Sequence, residues 1–486
     1  MLFNSVSFLI YFPIVVLVCF IIPDRFKNIW LLIASYYFYM SWNAKYGLLI
    51  LLSTVITYVC GIIIDRCGHH IWRKLSFALC LVSNFSILFF FKYFEWILEN
   101  INQLFGRNDS LPFTILLPVG ISFYTFQAVG YTFDVYRGRL KAEKNFIDYA
   151  LFVSFFPQLV AGPIERSTNL LSQFKSPIRF DAGNVTKGLQ IMLWGYVEKV
   201  VIADNLAILV DTVYGDYNAY SGSMLVLASA LFAIQIYCDF GGYSHIAIGA
   251  AKVLGVTLMD NFRQPFFARS IREHWRRWHI SLSGWFRDYL YIPLGGSRCS
   301  KGRKYLNVMI TFLASGMWHG ASWHYIIWGG LHGGYQVIGE MMTPLKKKIW
   351  ELLHINPEHI VYQTLQRVIT FFLIVITFVV FRANSFRESL EIFKIIVLRF
   401  EWSRLIDGSV MNLGLVPAQC LLVIVALILL LAVDILHERG VHFSLWISEK
   451  PRAVRWGVYY VLTFLILVSI LQTFGQSASS FLYFQF

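Results

Sequence analysis

The chain has 486 residues, of which 57% are hydrophobic and 14% charged, and its formal net charge is +13. Soluble domains carry about 25% charged residues, so this composition excludes a soluble globular protein. The positive charge is not a nucleic-acid signal either. The basic residues gather in alternate loops, at 66–74, 137–144, 263–304, 346–348 and 450–455, which is the positive-inside pattern of membrane proteins.

Apolar runs recur at 8–22, 48–64, 77–91, 368–381, 415–433 and 456–471. A spanning helix needs roughly 20 mostly apolar residues, and the whole chain reads as about eleven spans of an all-α polytopic membrane protein. No polar stretch is long enough to build a soluble core. The first run lacks a basic leader and a small-residue cleavage site, so it is expected to be a retained span rather than a signal peptide. Tracing the spans from the basic loops puts the N-terminus outside and 263–304 in the cytoplasm. The last span then runs outward and leaves the tail 472–486 on the outer side. The seven cysteines are scattered without a C-x-x-C pair, which supports neither a disulfide framework nor a metal site.

The first third reads as four ordinary spans, followed by a polar loop at 100–110. From Pro118 to Phe126 aromatic, glycine and hydroxyl residues mix, as in helices that line a cavity. The stretch 155–166 is broken by Pro157, Gly162 and Pro163 and is expected to be re-entrant or surface-lying, since irregular backbone at membrane depth must be sheltered. The helix expected over 188–210 carries Glu198, Lys199 and Asp204 in apolar sequence. Such charges face the bundle interior and pair. Glu198 and Lys199 are adjacent, so they diverge and need different partners. The stretch 237–245, with Asp239 and His245, interrupts the next apolar run. Further on, Gly316 with Gly320, Gly329 with Gly333, and Gly330 with Gly334 repeat a G-x-x-x-G spacing that lets helices approach closely.

The histidines carry the chemistry. His69, His70, His354, His359, His437 and His442 fall in loops or at span ends. His245 reads as a local hydrogen-bonding residue, and His324, between Trp323 and Tyr325, as a structural one. His274, His279, His319 and His332 remain. On one helix His319 and His332 would be about 19 Å apart along the axis, so they share a centre only if the glycine-rich stretch breaks the helix. His274 and His279 would point about 140° apart. A histidine at membrane depth, as in Met317-Trp318-His319-Gly320, is costly and marks function. The sharper pairing joins His319 to one of the upstream histidines through the tertiary fold.

Several of these stretches together resemble the membrane-bound O-acyltransferase family. They are Trp275-Arg276-Arg277-Trp278-His279, Arg287-Asp288-Tyr289-Leu290-Tyr291-Ile292-Pro293, Trp318-His319-Gly320 and Trp328-Gly329-Gly330-Leu331-His332, with 118–126, 155–166 and 237–245. Within that family they are most similar to the alginate O-acetylase and peptidoglycan O-acetyltransferase branch. The resemblance implies a ring of tilted helices around a thin waist between cytoplasmic and extracytoplasmic funnels, with re-entrant or interfacial helices. It implies one acyltransferase domain over 1–486, with 263–304 as a cytoplasmic active-site loop, in a bacterial inner membrane. His319 matches the family's catalytic histidine and His279 its second active-site histidine.

The resemblance further implies a cytoplasmic acyl thioester donor, acetyl-CoA in this branch, with no permanently bound cofactor. It implies a polysaccharide acceptor outside the cell and a separate partner of the SGNH-hydrolase type. The end of the chain, Phe481-Leu482-Tyr483-Phe484-Gln485-Phe486, resembles an aromatic hexapeptide in which the tyrosine, here Tyr483, relays the acyl group. An interfacial aromatic anchor explains the same residues. The arginines of 263–304 suit a donor's phosphates and ordinary topology equally, so the residues binding the donor are left open. Three other readings also stay open at this point: a teichoic-acid D-alanyltransferase fed by a carrier protein, a polar-solute transporter, and a non-catalytic scaffold for polysaccharide export.

Overall fold

In the computed structural model, residues 1–109, 111–473 and 481 are described, and among them all regular structure is helical. The chain divides into two compact units, residues 1–192 with 243–260, and residues 193–242 with 261–486.

The first unit is built from α1 (Val6–Ile21), α2 (Asp24–Met40), α3 (Ala44–Arg66), α4 (His70–Phe105), α5 (Ile121–Tyr136), α6 (Phe146–Ser154), the single turn α7 (Phe156–Leu159), α8 (Ser167–Phe174) and most of α9 (Ala182–Tyr196). Its core is aromatic: Tyr11, Phe12 and Phe38 gather around Phe156, at ring distances of 5.5 Å from Tyr11 and 5.6 Å from Phe38. The broken stretch expected at 155–166 lies inside the protein, because Phe155, Gln158 and Glu165 are all buried. A surface-lying segment is thereby excluded. Part of the loop expected at 100–110 is helical instead, since α4 continues to Phe105 and ends on Gly106 in the left-handed conformation.

The second unit continues α9 through a π-helical segment, Val197–Ala203, into α10 (Asp204–Gly215). The π turn explains how the buried charges pair. Positions five apart diverge on an α-helix by about 140°, but π hydrogen bonding runs from i to i+5. Accordingly the Asp204 N–H donates to the Lys199 carbonyl. The Lys199 Nζ then reaches Asp204 at 2.7 Å and Asp239 at 2.5 Å. Glu198 turns away, as expected for a neighbour, and accepts from Trp194 Nε1 at 3.0 Å. Asp239 lies on α11 (Gly222–Val253), a continuous helix of 32 residues. The acid that interrupts the apolar run at 237–245 leaves the helix unbroken, because Asp239 has its counter-charge in Lys199.

The rest of this unit comprises α12 (Ile271–Arg277), α13 (Ile280–Phe286), α14 (Lys301–His319), α15 (Trp323–Met341), α16 (Thr343–Leu352), α17 (Ile360–Arg382), α18 (Phe386–Leu398), α19 (Pro417–Glu438), α20 (Phe443–Ser448) and α21 (Arg452–Gln472). Among the described residues, six helices, α3, α4, α11, α17, α19 and α21, are long and apolar enough to cross a membrane. The outer faces of α4, α19 and α21 expose rows of Leu, Ile, Val and Phe, such as Leu421, Ile428, Phe464 and Leu467. A contiguous apolar surface of this kind belongs in lipid. The protein is therefore an all-α, multi-pass membrane protein.

Candidate active site

His319 is the last residue of α14, and Gly320 after it is fully extended at φ −169°, ψ 158°. The chain turns at once into α15. The glycine-rich stretch does break the helix, and it makes α14 and α15 an antiparallel hairpin rather than one long helix. Glycines hold the hairpin together. A Cβ on Gly316 would sit 2.3 Å from the Tyr325 carbonyl oxygen, and one on Gly329 would sit 2.2 Å from that of Phe312. At Gly320 a Cβ would meet the Tyr325 ring at 2.2 Å. These spacings are packing devices, as close-approach glycines are in membrane helices. Gly334 is different, with nothing within 4 Å of its Cβ position.

His279 comes to the same place from another break. It stands between α12 and α13 with φ +44° and ψ 54°, a left-handed conformation uncommon for any side chain but glycine. Asn261 holds the turn. Its carbonyl accepts from Ile280 N at 2.9 Å, and its Oδ1 accepts from the Ser281 hydroxyl at 2.8 Å. Backbone held in a sparsely populated region persists only where the surroundings fix it, and such positions gather at functional sites.

The two rings lie 6.5 Å apart, centre to centre, at 60°. His319 is 3% exposed and His279 0%. Aromatic rings enclose both. His319 is 4.9 Å from Trp328, 5.0 Å from Trp318 and 5.6 Å from Phe381. His279 is 4.6 Å from Phe240 and 5.8 Å from Trp318. A pair of imidazoles with an aromatic wall is suited to moving one proton between a hydroxyl and a leaving group in a site that keeps bulk water out.

The other histidines are engaged elsewhere. His274 Nδ1 donates to the Pro265 carbonyl at 3.1 Å, and its ring stacks on Trp278 at 5.4 Å. His332 Nδ1 accepts from Trp275 Nε1 at 3.1 Å. Its ring lies 4.8 Å from Trp328, so Trp328 stands between His319 and His332 and touches both. His324 shares a hydrogen bond with Ser322 at 2.7 Å. Sequence reasoning did not find Phe240, Trp328, Phe381 or Asn261, because nothing in an aromatic-rich stretch separates a ring that walls a site from one that packs a core.

The basic loop is stitched to acids. Arg272 and Lys304 both pair with Glu340. Arg277 binds Glu273 and Glu438, each at 2.6 Å. Burial opposes the Arg277 charge, but Glu438 and Glu273 outweigh it and hold the guanidinium above its ordinary value. Arg276, Arg298 and Arg303 are exposed and make no ion pair among the described residues. With Lys301, also exposed, they are the cations of this loop without an acidic partner among the described residues.

The tail meets this site at one residue. Phe481 is 1% exposed and lies 6.1 Å from Phe240, the ring that abuts His279. Tyr483 itself lies outside the described residues.

The pattern of the MBOAT, membrane-bound O-acyltransferase family matches residues 36–381. A probable alginate O-acetylase of Pseudomonas aeruginosa is 39% identical, over 81% of this chain and 74% of its own length. One from Pseudomonas putida is 34% identical over the whole of both chains. A peptidoglycan O-acetyltransferase of Helicobacter pylori is 35% identical over 81% of this chain and 79% of its own. With buried histidines in a multi-pass helical protein and likeness of this extent, the chain belongs to the membrane-bound O-acyltransferase family, in the branch of the alginate O-acetylases and peptidoglycan O-acetyltransferases, and is an O-acyltransferase.

Proposed function

We propose that this enzyme takes an acetyl group from cytoplasmic acetyl-CoA and delivers it to hydroxyls of a polysaccharide outside the bacterial inner membrane. The observation that carries the proposal is the enclosed His279–His319 pair. His319 acts as general base, for which an imidazole with an unperturbed pKa near 6.5 is suited. It takes the proton of a hydroxyl whose oxygen attacks the thioester carbonyl carbon. His279 donates toward the oxyanion that develops. The carbon–sulfur bond then breaks, and the proton on His319 passes to the thiolate, leaving an ester and a free thiol. Arg276, Arg298 and Arg303 attract the donor's phosphates.

Tyr483 serves as the intermediate hydroxyl. Phe481, which rests against Phe240, stands two residues before it. Two extended residues reach about 7 Å, and Phe240 is 4.6 Å from His279. The relay lets the acyl group cross while the donor stays inside, and a secreted SGNH-type partner then passes it to the polymer. The chain works as one catalytic unit over 1–486, with 263–304 in the cytoplasm and both termini outside.

The D-alanyl reading has less support. The Bacillus subtilis teichoic acid D-alanyltransferase is 26% identical over 57% of this chain, below the likeness to the O-acetylases. The test uses purified protein in sealed vesicles of known orientation, with labelled acetyl-CoA on the cytoplasmic face and the SGNH-type partner and polymer on the other. Label on the polymer at the opposite face supports the proposal, and label that never leaves the donor's face contradicts it.

A further inference from the structure

A cleft in the second unit has a lining that contains no histidine. It encloses about 590 Å³ between residues 218–224 and 399–413 of the second unit. That volume falls within the range of ligand clefts, about 300–1,000 Å³. Its two walls are tied by backbone. Gly222 N donates to the Arg399 carbonyl at 2.8 Å, and the Ser223 hydroxyl donates to the Glu401 carbonyl at 2.5 Å. A Cβ on Gly222 would sit 2.6 Å from the Ile396 carbonyl oxygen, so only glycine admits this approach. Arg404 braces the second wall through Glu401 at 3.0 Å and Asp407 at 3.5 Å.

The lining has two characters. Met224 and Leu413 form a buried apolar floor. Around it stand Asn218, Tyr220, Arg399 and Asn412. The Tyr220 hydroxyl and the Asn412 amide make no hydrogen bond among the described residues. Arg399 spends one N–H on the Asn218 carbonyl, at 3.1 Å, and its other donors remain. An apolar floor under a rim of planar polar groups suits a pyranose ring, which offers C–H faces above and below and hydroxyls around its edge. A lipid chain would leave this rim unsatisfied, and unpaired polar groups against a chain with no donors or acceptors are costly.

The cleft also lies on the acceptor's side. Residues 383–416 join α17 to α19, so they emerge on the face opposite the basic stretch 439–455. Their own charges cancel, Arg387, Lys394, Arg399 and Arg404 against Glu388, Glu391, Glu401 and Asp407, as positive-inside topology expects of an outer loop.

We infer that this cleft binds a sugar segment of the extracytoplasmic polymer. The inference rests on the proposal that the acceptor is a polysaccharide outside the membrane. The test titrates the full-length protein, in detergent, with an alginate hexasaccharide and a peptidoglycan-derived tetrasaccharide by calorimetry. At least one should bind, and Tyr220→Phe with Asn412→Ala should weaken it about tenfold, as loss of one or two polar contacts does. His319→Ala should bind the sugar as wild type does. An unfolding temperature equal to wild type in the double variant shows that its fold is intact.

If neither sugar binds while the wild type acetylates polymer, the subsite is wrong and the acyltransferase reading stands. If the double variant binds sugar normally, or instead loses only a co-purifying protein partner, the subsite is likewise overturned. If polymer acetylation is absent altogether, it is the acceptor reading that fails.

Discussion

The His279 and His319 rings lie 6.5 Å apart because two helix breaks far apart in the sequence point the same way, one at a left-handed histidine and one at an extended glycine. Neither histidine sits mid-helix. Each stands where the backbone turns.

This geometry separates the two upstream histidines. His279→Ala should lower acyl transfer by about 10²-fold or more, the scale of a lost proton-handling or oxyanion group. His274→Ala should cost far less, since His274 bonds the Pro265 carbonyl and stacks on Trp278. Initial rates with labelled acetyl-CoA measure both. Equal losses in the two variants would mean that the pair acts through packing.

The glycine hairpin makes a stability prediction. Gly329→Val forces a side chain into the Phe312 carbonyl and should destabilise the protein by about 1–3 kcal/mol or more. Gly334→Ala meets nothing and should be neutral or slightly stabilising, since alanine favours helix over glycine. Thermal unfolding in detergent distinguishes them.

Much of this was readable in the residues. His319 stood out because an imidazole in apolar sequence is costly, and the glycine spacing announced close helix packing. The pairing of Glu198 and Lys199 with separate partners followed from their adjacency. Other features were hidden. Nothing local signals the π turn that aligns Lys199 with Asp204, and the second partner of Lys199, Asp239, lies on another helix. The acid at 239 was visible in the apolar run, but its pairing with Lys199 was not. The wall formed by Phe240, Trp328 and Phe381 was out of reach because lipid-facing and site-facing aromatics have the same composition.

Tyr483→Phe keeps the ring and removes the hydroxyl. Under the relay it should stop polymer acetylation, and the wild type should yield an acyl-tyrosine adduct by mass spectrometry of the C-terminal peptide. Full polymer acetylation by the variant would make the tail an anchor.

Sidedness is tested with a membrane-impermeant thiol reagent on intact cells. Ser300→Cys should be protected and Gln485→Cys labelled. The reverse pattern would invert the protein, and with it the direction of transfer.

The central claim is that His319 removes the proton that makes an oxygen nucleophilic. The most direct measurement is acetyl transfer by His319→Ala in oriented vesicles with labelled acetyl-CoA, beside wild type of equal yield and unfolding temperature. The account predicts a loss of about 10²–10⁴-fold, the contribution of a general base. Transfer at a near wild-type rate would contradict it.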